Sequence, residues 1–99
     1  MTTLHIALQD GFEGDTVVVK VNGKEVFNNE NVKTKRQIGK AASCDVEVEQ
    51  GTANVEVSLP LRKVSETIAC KVSGEVYLGV SLVEKKIEHR VSSEPFRYA

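Results

Sequence analysis

Residues 44–59, CDVEVEQGTANVEVSL, hold two alternating runs, Cys44-Val46-Val48 and Ala53-Val55-Val57-Leu59, on either side of Gln50-Gly51. An apolar residue at every second position places one side of a strand in a core and the other in water. Folding the segment about Gln50-Gly51 as a β-hairpin pairs Val48 with Ala53, Val46 with Val55 and Cys44 with Val57, so all six share one buried face. A slip of one residue would turn every valine outward, which specifies the register strongly. The other face carries Asp45, Glu47, Glu49 and Glu56, and the expected pairing sets Asp45 opposite Glu56, a like-charge pair that costs stability unless a positive group lies across it.

The same period extends outward in both directions. On the N-terminal side, Leu4, Ile6 and Leu8 alternate over residues 3–9, and residues 16–21 form a second strand that runs into Asn22-Gly23. Asn-Gly suits a type I′ hairpin turn, whose two central positions need positive φ. The return strand, residues 24–27, then sets Lys20 opposite Glu25, Val19 opposite Val26 and Val18 opposite Phe27. Residues 28–31 are polar and turn-like, and residues 32–42 read as an edge strand with a loop. Pro60 ends the strand before it by withdrawing a backbone donor, and residues 61–65 are a connection between sheets.

Ile68, Cys70 and Val72 line a further strand, which turns through residues 73–75 into Val76, Leu78, Val80 and Leu82. Glu84-Lys85 turns the chain once more, pairing Leu82 with Ile87, Val80 with His89 and Leu78 with Val91. Residues 92–99 form a polar tail in which Pro95 and Phe96 are placed to lay a ring on the body.

Seven or eight short strands at about ten-residue spacing, with turns between them, indicate an all-β sandwich or barrel. One apolar face per strand favours a small antiparallel β-sandwich. Val, Ile and Thr supply 26 of the 99 residues, and a chain of this length makes one domain spanning residues 1–99. In strand count and alternation the chain is similar to immunoglobulin-like or transthyretin-like sandwiches, although the tyrosine corner and the Cys-Trp-Cys marks of true immunoglobulin domains are missing. That resemblance implies an architecture and no activity.

A formal net charge of −1 gives no overall attraction to nucleic acid or to an anionic membrane. The first residues lack the basic and apolar regions of a secretory signal, and no apolar run has the length of a membrane span, so the expected compartment is the cytoplasm. Cys44 and Cys70 fall on apolar strand faces. A disulfide would need those strands to face each other across the sandwich, whereas the lack of a secretory signal favours buried, reduced thiols.

No motif names a reaction. The cysteines have apolar neighbours that would raise their pKa, and no serine sits in a nucleophile signature. His89 falls on the apolar face of its strand and reads as half-buried and hydrogen-bonded, while His5 falls on a polar face and reads as solvated. Neither has metal ligands at a zinc spacing. With no Trp and five aromatic residues in all, there is no evident platform for a sugar ring. No cofactor is implied, and the expectation is a non-catalytic domain.

Two features remain. Asp10, Glu13 and Asp15 form an oxygen-rich loop that suggests a calcium or ligand site, although aspartate beside glycine is also ordinary turn vocabulary. Charge also segregates along the chain: residues 31–43 hold Lys33, Lys35, Arg36 and Lys40 with no acid, and residues 44–61 hold Asp45, Glu47, Glu49 and Glu56 with no base. Either the basic stretch folds beside the acidic one and neutralises it, or the two are presented separately to another protein or to a second copy in a homodimer. The expected function is therefore a protein-interaction or self-association module built on those eight residues. Ligand or calcium binding at residues 10–15 is the alternative.

Overall fold

A computed structural model describes residues 1–34 and 40–95. These form eight strands, β1 (Thr2–Leu8), β2 (Glu13–Val21), β3 (Lys24–Lys33), β4 (Ala42–Val48), β5 (Gly51–Leu59), β6 (Val64–Val72), β7 (Val76–Val83) and β8 (Lys86–Ser92). They make two four-stranded sheets, sheet I in the order β4-β1-β7-β8 and sheet II in the order β3-β2-β5-β6. The protein is a small β-sandwich. Sheet I is mixed, because β1 runs parallel to β7 while the other pairs are antiparallel.

The core lies between the sheets and is made by the residues of period two. Leu4, Ile6, Leu8, Leu78 and Val80 enter it from sheet I, and Val17, Val19, Val55, Val57 and Leu59 from sheet II, each 1% exposed or less. Burying an aliphatic side chain of this kind stabilises a fold by about 1.5–3 kcal/mol. Phe12, 2% exposed, closes one end. Its loop is tied down by Thr34, whose hydroxyl donates to the Gln9 carbonyl and accepts from the Phe12 N–H, and whose own N–H donates to the Phe12 carbonyl. Gly11 has φ +90°, and a Cβ there would lie 1.8 Å from the Leu82 carbonyl oxygen, so only glycine lets this loop approach β7.

Residues 44–59 do not form a hairpin. β4 pairs with β1 in sheet I and β5 pairs with β2 and β6 in sheet II, so the chain arches from one sheet to the other through Glu49 and Gln50. A hairpin and an arch both deliver the two apolar faces to one core, and period two cannot separate them. Hydrogen-bond partners do: Asp45 lies opposite His5, Glu56 lies opposite Lys20 and Thr67, and the like-charge pair expected between Asp45 and Glu56 is not made.

The same exchange occurs further along. Residues 73–75 carry the chain from sheet II to sheet I, whereas β5 and β6, expected to lie in different sheets, form a hairpin closed by a 3-10 turn at Pro60–Arg62 with Lys63 at φ 55°. Pro60 does end β5. The Asn22-Gly23 turn forms with both φ values positive, and Lys20 faces Glu25, but a register shift sets Val19 opposite Phe27 and Val18 opposite Asn28. β3 also runs through residues 28–31, with Asn31 at φ 60°, where a turn was expected. β7 and β8 pair as expected, Leu82 with Ile87, Val80 with His89 and Leu78 with Val91. His89 itself is exposed, because β8 is a sheet edge and the core does not extend beneath it. The expectation for Phe96 lies outside the described residues.

Candidate interaction surface

On the outer face of sheet I the register places Asp45 of β4, His5 of β1 and Tyr77 of β7 side by side. His5 and Tyr77 stack, with ring centroids 4.4 Å apart and planes within 8° of parallel. His5 Nδ1 lies 2.7 Å from Asp45 Oδ1, and Nε2 lies 3.5 Å from Glu75 Oε1, a longer and weaker contact. Tyr77 donates its hydroxyl to the other Glu75 oxygen at 3.3 Å. A carboxylate at each ring nitrogen suits the imidazolium form, which has two donors and no acceptor. Burial lowers the pKa of His5, but the hydrogen bonds to Asp45 and Glu75 and the charges of those groups outweigh it, leaving the pKa above its ordinary value of 6.5.

Beside this cluster is a recess of about 290 Å³ lined by His5, Ala7, Lys40, Ser43, Tyr77 and Pro95, among others. Asp45 and Glu75 keep side-chain exposures of 67% and 58%. Glu47, one pleat along β4 from Asp45, is opposite Thr3 and exposed on the same face. One corner of sheet I therefore presents Asp45, Glu47 and Glu75 together.

The structure separates the other expected contact residues. Glu56 is on the outer face of sheet II and Glu49 is in the arch, so the four carboxylates expected on one sheet surface are divided among three places. Lys33 ends β3 opposite Glu13. Lys40 borders the His5 recess. Lys35 and Arg36 lie outside the described residues. Glu75 was not singled out from the sequence, since only the parallel pairing of β1 with β7, some seventy positions apart, brings it to His5.

At the loop of residues 10–15 Asp10 and Glu13 are exposed and Asp15 is not. Asp15, 9% exposed, turns inward, where Oδ1 accepts from Arg62 Nε at 2.5 Å and Oδ2 accepts from the Glu13 N–H at 3.0 Å. Both oxygens are thus bonded within the protein, and among the described residues no group of three or more His, Cys, Asp or Glu is arranged to hold a metal ion. Cys44 and Cys70 are both free. Burial and the neighbouring Asp45 push the Cys44 thiol up to about 11, and burial raises that of Cys70. Among the described residues no helix is long and apolar enough to cross a membrane.

No protein-family model, curated protein or solved structure matches the chain. Fold and surface together define a class, a β-sandwich with an acidic corner on one sheet.

Proposed function

We propose that the protein is a non-catalytic contact module of the cytoplasm that binds a basic partner through the outer face of sheet I. The observation that carries this reading is the convergence of Asp45, Glu47 and Glu75 on one exposed corner. Carboxylates grouped in this way raise the local concentration of a cationic partner and orient it, an effect that salt weakens. Glu56 takes no part: it is on the opposite outer face, in β5, directly opposite Lys20 of β2. A cytoplasmic setting accords with two unpaired thiols.

The test is titration with an oligolysine peptide, followed by amide shifts in NMR. Shifts should gather at Asp45, Glu47 and Glu75 and fade as salt is added. The triple variant D45N/E47Q/E75Q, which removes all three charges at little change in size, should abolish them, and Glu56→Gln should leave them unchanged. Shifts centred on Glu56, or no binding at low ionic strength, would overturn the proposal.

A further inference from the structure

The sandwich has four edge strands, β4 and β8 in sheet I and β3 and β6 in sheet II. An exposed edge offers unpaired N–H and C=O groups to any extended chain, and proteins blunt such edges with lysine, proline, bulges or charges on the core-facing side. Three of the four edges here carry such devices. β3 has Lys24 and Lys33 and three register shifts against β2. β6 has Lys71, and it sets Glu66 opposite buried Val57, on the side that faces the core. β8 has Lys86 and Arg90, and it sets His89 opposite buried Val80 in the same way.

β4 has none of these. Ala42–Val48 contains no lysine, arginine or proline, and its register with β1 is unbroken from Thr2↔Val48 to Leu8↔Ala42. Its core-facing positions are Ala42, Cys44, Val46 and Val48, the first three only partly covered. Among the described residues no strand pairs with its outer edge. The only charges on it are the carboxylates of Asp45 and Glu47, two residues apart on the outer face.

Those charges select the occupant. In a sheet extended by one strand, a residue directly opposite lies close enough for unlike charges to attract and like charges to repel. Antiparallel self-pairing centred on any of residues 45–47 would put Asp45 against Asp45, Asp45 against Glu47, or Glu47 against Glu47. A second copy is disfavoured in each case. We propose that β4 instead receives an extended segment of another protein as a fifth strand of sheet I. That segment carries lysine or arginine at alternate positions, opposite Asp45 and Glu47, with apolar residues between them that cover Cys44 and Val46. The mode is strand addition, in which backbone bonds supply affinity and alternate side chains supply specificity. The proposal rests on the acidic-corner reading and deepens it.

The test compares two acetylated, amidated peptides of about seven residues, the length of β4, and of identical composition. One alternates lysine and valine, and the other groups its lysines at one end. Binding is read by fluorescence anisotropy and by hydrogen exchange at the amides of Ala42–Val48. The alternating peptide should bind at least about tenfold more tightly and slow exchange in β4. D45K/E47K should weaken it by about tenfold or more. E47K alone, which leaves the His5–Asp45 contact in place, should weaken it in the same direction.

Equal binding of the two peptides would overturn strand addition while leaving the acidic corner as a contact surface. Binding of neither would overturn both. Light scattering that showed a dimer of the protein alone, abolished by D45K/E47K, would assign the edge to a second copy and overturn the choice of partner.

Discussion

His5 joins three strands of sheet I, bonding to Asp45 of β4 and to Glu75 just before β7 while stacking on Tyr77 of β7. Its pKa in the folded protein lies above 6.5 because the two carboxylates outweigh the effect of burial. A group whose folded pKa is raised contributes stability that is fully present below its unfolded pKa and is lost as pH rises through the folded value. The difference in Tm between the protein and His5→Asn should therefore be largest below pH 6.5, a few degrees, and shrink as pH rises above it toward the part that the Tyr77 stack contributes in either charge state. Thermal melts on either side of that pH check it, and a difference that grew with pH would show that the contacts do not favour the imidazolium. In the sequence, His5 reads only as a residue on a polar strand face. Alternation gives the side of a strand but not its neighbours, so neither Asp45, forty positions away, nor Glu75, seventy away, could be attached to it.

The arch between β4 and β5 decides what the acidic residues do. In a hairpin, Asp45 and Glu56 would face each other and replacing either would relieve the other. In the arch they are on opposite outer faces of the sandwich, Asp45 beside His5 and Glu56 beside Lys20. The double-mutant cycle of Asp45→Asn and Glu56→Gln should therefore be additive to within about 0.3–0.5 kcal/mol in urea denaturation. A larger coupling energy would restore the hairpin. Local chemistry identifies the hairpin at Asn22-Gly23, which joins β2 to β3, whereas Glu84-Lys85, which joins β7 to β8 with both φ values positive, is found only from the alternation on either side of it. At Gln50-Gly51 and Ser73-Gly74 a short polar link with glycine serves an arch equally well, because the choice between turning back in one sheet and crossing to the other depends on which edge is waiting.

At the scale of the molecule, three edge strands carry lysine, register shifts or polar residues on the core side, while the fourth, β4, has only carboxylates as its charges and, among the described residues, no strand on its outer side. The protein alone should therefore be a monomer of 10.9 kDa by light scattering at both low and high salt. A dimer that dissociates as salt is added would instead make self-association the function.

The sequence by itself determined the class of fold and most of the core, because burial enforces period two along a strand that has a layer beneath it: the alternating residues of β1, β2, β5 and β7 are buried, while those of the edge strand β8 are not. It also determined that Pro60 ends a strand. Only the tertiary structure decided which strand lies beside which, and with that the acidic corner, the His5 cluster, the exposure of His89 and the place of β4 at the end of its sheet. The physical reason is that hydrophobic burial has no direction within the plane of a sheet. It sends a valine to the core from either layer with the same gain, while the outer-face neighbours are set by long-range hydrogen-bond pairing between segments far apart in the chain.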